Sequence, residues 1–200
     1  MNKTDAQGEI RYIREMIDQT RKITAGSWMF FLIWGVIVIL AVAGMYALVS
    51  LGKYHLIWIN WVILMLAGVL ITIIYARKFE RRIGAKTYPQ IATGHLSIAC
   101  GAGFILAGFI FPLFRLYTWE LIPILIALIA GIYAFTLGGI FEWNLLKWCG
   151  LLWWVGSVGM IFIQENDRAL LFIPLILIGY ITPALVLRSK YRKQSDQNAD

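Results

Sequence analysis

Charged residues are scarce in this sequence. Only 14% of its 200 residues are Asp, Glu, Lys or Arg, whereas 60% are hydrophobic. A soluble domain carries about 25% charged residues, so this chain has too little polar surface to coat a water-soluble globule. The composition excludes an ordinary soluble domain and indicates an all-α, polytopic membrane protein.

Residues that carry catalysis or bind metals are also sparse. The chain has two histidines, His55 and His95, and two cysteines, Cys100 and Cys149. The histidines fall at opposite faces of the predicted membrane region, and no HExxH, GxSxG or pair of intramembrane aspartates is present. Ionisable side chains are missing from the middle of every apolar run, where proton and ion pathways place them. These absences argue against an enzyme, a metal or cofactor site and a proton-coupled pump.

Six apolar runs make up most of the chain, and each approaches the roughly 20 residues that cross about 30 Å of hydrocarbon. They cover residues 28–51, 56–76, 96–114, 121–141, 145–163 and 169–187. We therefore expect a six-helix transmembrane bundle over residues 27–188 and a disordered tail at 189–200.

The basic residues predict the orientation of the bundle. Fifteen of the 18 Lys and Arg residues lie in the N-terminal segment, the loops after the second and fourth spans, and the tail. Because positive charge accumulates on the cytoplasmic side, both termini are expected in the cytoplasm. There the charges would meet anionic lipid headgroups first, which favours membrane lipids over nucleic acid as a partner.

The segment before the first span has a different pattern. Ile10, Ile13, Met16 and Ile17 recur at helical spacing among charged residues, which predicts a cytoplasmic amphipathic helix within residues 1–26. Its apolar stripe must be covered by the membrane surface, by a second copy of the chain or by a soluble partner.

This opening, "EIRYIREMIDQTRKI" followed by "FFLIWG", resembles a group of uncharacterised bacterial six-span membrane proteins. Those proteins begin with an EIxYIRxxIxxT helix and have WG in the first span. The matching residues here are Glu9, Ile10, Tyr12, Ile13, Arg14, Ile17, Thr20, Trp34 and Gly35. The resemblance implies a protein of the bacterial inner membrane that works beside a soluble regulatory protein.

The longest internal loop is predicted at residues 77–95 and carries Arg77, Arg81 and Arg82. Together with the N-terminal helix it forms what we call the cytoplasmic basic surface. This surface either anchors the protein to lipid headgroups or docks a partner.

The three outer loops are very short, so we expect the spans to pair as three hairpins: first with second, third with fourth, fifth with sixth. Glycines near the middle of the spans suggest that the hairpin is triplicated. Rows of small residues allow close helix contact within the bundle or between subunits of a homo-oligomer. These rows are Ala99, Gly103 and Ala107 in the third span, and Ala130, Ala134 and Gly138 in the fourth.

A few polar and aromatic residues lie deep in the spans. They either fill the core or line a cavity for an amphipathic molecule. The set consists of Asn60, Tyr133, Thr136, Trp153, Ser157 and Thr182. The sixth span is expected to bend, because Pro174 and Pro183 flank Gly179.

Two functions stay open at this point. The first is a non-enzymatic membrane-embedded sensor or scaffold that docks a partner, or self-associates, through the cytoplasmic basic surface. The second is a small oligomeric transporter or channel for an uncharged or amphipathic solute. A polar passage through the bundle would favour the second function.

The charge distribution yields a first prediction. Reporters fused to either end of the chain should be active only if they work in the cytosol, because both ends carry the positive residues that are retained there. Paired fusions to a cytosol-active and a periplasm-active reporter measure this directly. Periplasmic activity at either end would overturn the predicted orientation.

Overall fold

The computed structural model describes residues 28–80 and 88–197, and within them all side chains except those of residues 79, 80, 166 and 190–197. This part of the chain is helical and contains no strand. The amphipathic helix predicted within residues 1–26 lies outside the described residues, and so do Arg81 and Arg82.

Six helices are long and apolar enough to cross a membrane, which confirms the predicted number and order of the spans. They are α1 (Trp28–Ser50), α2 (Tyr54–Lys78), α3 (Tyr88–Leu113), α4 (Trp119–Ile140), α5 (Asn144–Phe162) and α6 (Asp167–Ser189).

Two helix ends differ from the sequence-based expectation. Helix α3 begins at Tyr88, well before residue 96, because Pro89 is tolerated in the first helical turn, where its missing N–H would have no partner. The α-helical backbone that starts at Thr182 continues to Gln197, past residue 189, where we expected the tail to begin. Because α3 begins at Tyr88, the loop predicted at residues 77–95 is shorter than its composition suggests.

Helices α1, α4, α5 and α6 form the centre of the bundle. Their largest buried cluster contains Val42 of α1, Ala130 of α4, Trp153 and Met160 of α5, and Ile176 of α6. A second cluster near the start of α1 is formed by Phe31, Leu137, Leu146, Ala184 and Leu187. Helix α2 packs mainly on α1, and α3 mainly on α4, so both lie at the periphery.

The most extensive helix contact joins α4 and α5, which are consecutive in the chain but belong to different predicted hairpins. Glycines allow the two backbones to approach. A Cβ added to Gly138 would lie 2.7 Å from the backbone nitrogen of Lys147, and one added to Gly150 would lie 2.7 Å from that of Phe135. The predicted row Ala130, Ala134 and Gly138 is buried in this region.

The predicted row on α3 is only partly buried. Ala107 is buried and Gly103 packs against Ile129 of α4, but Ala99 is exposed. Among the described residues, this row therefore supports the α3–α4 contact over only part of its length.

Tryptophan rings pack against glycines near the middle of the even helices. The Trp34 ring lies on Gly68, Trp154 on Gly131, and Trp153 on Gly179. Since Trp153 and Trp154 both come from α5, these contacts do not repeat once per hairpin. The grouping into three equivalent hairpins stays a prediction.

Two five-residue π-helical turns interrupt the spans, Leu106–Ile110 in α3 and Leu177–Ile181 in α6. Each is followed two residues later by a proline, Pro112 or Pro183. Proline lacks an N–H and clashes with the carbonyl four residues earlier, so a regular α-helix cannot pass through it unchanged. The irregularity expected at Gly179 is thus a π turn, and α3 contains a second one.

The α4–α5 contact can be tested with two adjacent glycines. We expect Gly138→Ala to lower the free energy of unfolding by about 1–3 kcal/mol, because the new methyl group meets backbone that cannot move aside. Gly139→Ala is the matched control, since a Cβ there has no neighbour within 4 Å. Alanine should leave stability unchanged or raise it by up to about 1 kcal/mol.

Unfolding of both variants in detergent, measured by circular dichroism against denaturant, provides the comparison. Equal effects at residues 138 and 139 would contradict the close approach of α4 and α5.

Candidate functional site

Only part of the cytoplasmic basic surface lies in the described chain. Arg77 is exposed in the last turn of the α-helix Ile57–Glu80, beside Lys78, which is also exposed. Basic side chains at a helix C-terminus interact favourably with the helix dipole, so the local fold alone accounts for part of this placement. The remaining members, Ile10, Ile13, Met16, Ile17, Arg81 and Arg82, lie outside the described residues.

The predicted cavity residues are better described, beginning with Asn60 of α2. Its Nδ2 donates to the backbone oxygen of Ala41 in α1 at 3.0 Å. Gly44 leaves the space for this amide, since a Cβ there would lie 2.6 Å from Oδ1 of Asn60. The bond ties α2 to α1 and occupies the side chain that could otherwise face a solute.

A similar arrangement connects α5 to α4. The buried Ser157 donates from Oγ to the backbone oxygen of Ile124 at 2.9 Å. Trp154, one turn earlier, donates from Nε1 to the oxygen of Leu128 at 3.2 Å. Both donors are used for helix packing.

The other predicted members are dispersed. Thr182 is exposed and donates to the oxygen of Leu177 in its own helix at 3.0 Å. The Tyr133 hydroxyl lies 3.3 Å from Oγ of Ser97 in α3. Thr136 is exposed on α4. Tyr133 and Trp153 approach a common region, since Trp153 contacts Tyr180, which packs with Tyr133 against the second buried cluster.

Trp153 is the largest fully buried side chain, with 2% of its surface exposed. Its ring packs on Phe172 and Tyr180, with centroid distances of 5.7 and 5.6 Å. The Nε1 atom lies against Gly179 and has no hydrogen-bond partner among the described residues. The residue therefore acts mainly as an apolar wedge between α5 and α6.

The π turn of α3 was missed by the sequence-based reasoning and has its own polar chemistry. The N–H of Phe111 donates to Leu106, five residues back, and Pro112 has no N–H. The backbone oxygen of Ala107 thus loses its usual helical donor, and the Tyr117 hydroxyl donates to it instead. Desolvation by partial burial raises the pKa of the Tyr117 hydroxyl, in the direction that favours its donating form.

The π turn of α6 is built in the same way. The N–H of Thr182 donates to Leu177, and Pro183 cannot donate to Ile178. Among the described side chains, the Cys149 thiol donates to the oxygen of Ile178, at a sulfur–oxygen distance of 3.8 Å. A signal for both turns is present in the sequence, since "LAGFIFP" at 106–112 and "LIGYITP" at 177–183 share the pattern L-x-G-(F/Y)-I-x-P.

At the opposite end of the bundle from the start of α1, Arg168 joins three segments. Its Nε donates to the oxygens of Met160, at 3.0 Å, and Ile163, at 3.3 Å, and its Nη1 donates to the oxygen of Glu120 at 3.3 Å. A positive group at the last carbonyls of α5 stabilises that helix end. Beside it, Pro112, Arg115, Tyr117, Thr118, Trp119 and Glu120 line an open groove.

Within the described residues, no group of three or more His, Cys, Asp or Glu side chains is placed to hold a metal ion. Comparison with protein-family models, with curated proteins and with solved structures found no match.

The hydrogen bonding predicts that the interior is dry. In a chain with Cys100→Ala and Cys149→Ala, a single cysteine introduced as Ser157→Cys should not react with a charged, membrane-impermeant maleimide, because this side chain is buried between α5 and α4. Lys53→Cys is the control, since Lys53 is exposed in the turn between α1 and α2. Labelling of residue 157 at a rate close to that of residue 53 would reveal a water-filled passage.

Proposed function

We propose that this chain is a non-enzymatic integral membrane protein, a sensor or scaffold embedded in the bilayer. Its cytoplasmic basic surface docks a soluble partner or a second copy of the chain. The six apolar helices anchor that surface and hold it at the membrane.

The main support for this proposal is that polar side chains in the bundle form hydrogen bonds with backbone oxygens. Asn60, Ser157 and Trp154 each donate to backbone oxygen of a neighbouring helix, and Thr182 donates within its own helix. Side chains committed in this way strengthen helix packing and provide no continuous polar path for a solute. The exposed groups Arg77 and Lys78, by contrast, are available to an acidic or anionic partner.

In this proposal the protein resides in a bacterial inner membrane with both termini in the cytoplasm. The amphipathic N-terminal helix lies beside Arg77 and its neighbours, and the three outer hairpins face away from the cytoplasm. Anionic headgroups hold the basic side chains near the surface until a protein partner displaces them.

A second candidate is a small transporter for an uncharged or amphipathic solute. The observation that favours it is the pair of π turns before Pro112 and Pro183. In many transporters, helices interrupted by glycine and proline at corresponding positions form the substrate site.

Crosslinking in living cells distinguishes the two candidates. A photoreactive amino acid at residue 77 should crosslink to a second copy or to one cytoplasmic protein, and the product should disappear when Lys78→Glu is added. Residue 53 is the control, because it is equally exposed at the opposite end and should give no such product.

Crosslinks to lipid alone at both residues would contradict the docking proposal. Swelling of vesicles that contain the purified chain, in an iso-osmotic neutral solute, would support transport in its place.

A further inference from the structure

The two π turns have the same sequence pattern and the same irregular backbone in two different helices. In each, the residue after the turn donates five residues back, and the proline that follows deprives the next carbonyl of a donor. A glycine precedes the proline by four residues in both cases, at Gly108 and Gly179. The helices that contain them are the third and the sixth, so the turns divide the spans into two sets of three helices, α1–α3 and α4–α6.

The turn between the first two helices of each set is also the same. Helix α1 ends with three bonds: Leu51 to Ala47, Gly52 to Val49, and Lys53 to Leu48. Helix α4 ends with the same three bonds, each 90 residues later: Phe141 to Leu137, Glu142 to Gly139, and Trp143 to Gly138.

Both turns place one residue in the left-handed region, Gly52 with φ of 67° and Glu142 with φ of 50°. The next helix begins two residues after that residue in each set, at Tyr54 and at Asn144. The same ending also closes α3, at Arg115 with φ of 56°, because a left-handed residue is a common way to end a helix. The two turns therefore support the correspondence through their shared 90-residue shift and the equal distance to the next helix.

The packing within the two sets agrees with this correspondence. Gly44 of α1 packs against Asn60 of α2, and Gly150 of α5 packs against Phe135 of α4. These are shifts of 91 and 90 residues. Between the sets, α1 packs on α6, and α4 packs on α3. If α1, α2 and α3 correspond to α4, α5 and α6, the contact of α1 with α6 corresponds to the contact of α4 with α3.

One contact departs from this symmetry. Helices α5 and α6 meet around Trp153, whereas among the described residues α2 and α3 have no comparable contact. Helix α2, the segment that joins it to α3, and the part of α3 before its π turn are each longer than their counterparts in the second set, by 6, 5 and 8 residues. The correspondence along the third helices is therefore 71 residues instead of 90.

We propose that residues 28–113 and 119–189 are two copies of one three-helix unit in opposite orientations, and that the L-x-G-(F/Y)-I-x-P turn is the bending joint of the third helix in each copy. An odd number of spans per unit reverses the second copy, which is the arrangement of inverted-repeat membrane proteins. The turn of α3 lies in the C-terminal half of its helix, whereas the turn of α6 lies at the middle of its helix.

The first joint differs from the second by one added hydrogen bond. The Tyr117 hydroxyl donates to the carbonyl freed by Pro112, whereas the carbonyl freed by Pro183 receives, among the described side chains, the weaker thiol donor Cys149. The joint in α6 is therefore the looser of the two. This inference does not depend on the proposed function, since a scaffold and a transporter can both contain paired joints.

Distance measurements between spin labels across each joint test the proposal in the full chain, reconstituted in lipid nanodiscs. The native cysteines are first replaced by Cys100→Ala and Cys149→Ser, since both are free thiols and serine keeps a donor toward Ile178. Cysteines at residues 99 and 114 span the joint of α3, and cysteines at 170 and 185 span that of α6; all four positions are exposed and correspond by the 71-residue shift. Residues 59 and 74 of α2 give a control pair of the same length in regular α-helix.

We expect double electron–electron resonance to give broader distance distributions for the α3 and α6 pairs than for the α2 pair. Pro112→Ala should narrow the α3 distribution, and Pro183→Ala should narrow that of α6, because alanine restores the missing donor. Tyr117→Phe should broaden the α3 distribution alone, whereas Tyr54→Phe, at an exposed tyrosine, should change neither. Distributions as narrow as that of α2, or a response to proline removal in only one of the two helices, would overturn the proposal.

Discussion

The structure depends on one constraint: hydrocarbon offers no hydrogen-bond partner, so the chain must satisfy its own backbone groups inside the membrane. Regular helices meet this requirement over most of each span. Where a helix stops or is interrupted, the chain supplies another donor. The end of α1 is closed by backbone bonds through Gly52, and the oxygen freed by Pro112 is closed by the hydroxyl of Tyr117.

The same constraint explains the polar side chains in the bundle. An unpaired amide or hydroxyl in hydrocarbon is costly, and the nearest acceptor is the carbonyl of a neighbouring helix. Asn60 and Ser157 therefore become ties between helices. Close backbone approach at glycines such as Gly150 brings those carbonyls within reach, so small residues and polar ties occur at the same helix pairs.

The parts of this fold that depend on local composition could be predicted from the sequence. Six apolar runs of sufficient length predict six helices, and proline beside glycine predicts an irregular α6. The early start of α3 was missed because Tyr88–His95 is polar enough to suggest a loop, although Pro89 is compatible with a helix start. The π turn of α3 was missed because its pattern is meaningful only beside its counterpart in α6.

The candidate site was harder to predict because its members interact with residues distant in sequence. Nothing near Ser157 in the chain indicates that its hydroxyl reaches Ile124, and nothing near Trp153 indicates that Gly179 receives its ring. A polar residue in an apolar run shows only that some partner is needed. Whether that partner is a carbonyl of another helix or a solute depends on packing that periodicity does not determine.

The exposed apolar faces, such as Ile63, Leu66 and Leu70 of α2, need hydrocarbon as their neighbour. Size-exclusion chromatography of the purified chain, with and without an amphiphile, is the most direct measurement. We expect a single defined species in detergent and aggregation when the detergent is removed. A stable, monodisperse species in plain buffer would contradict a membrane-embedded bundle.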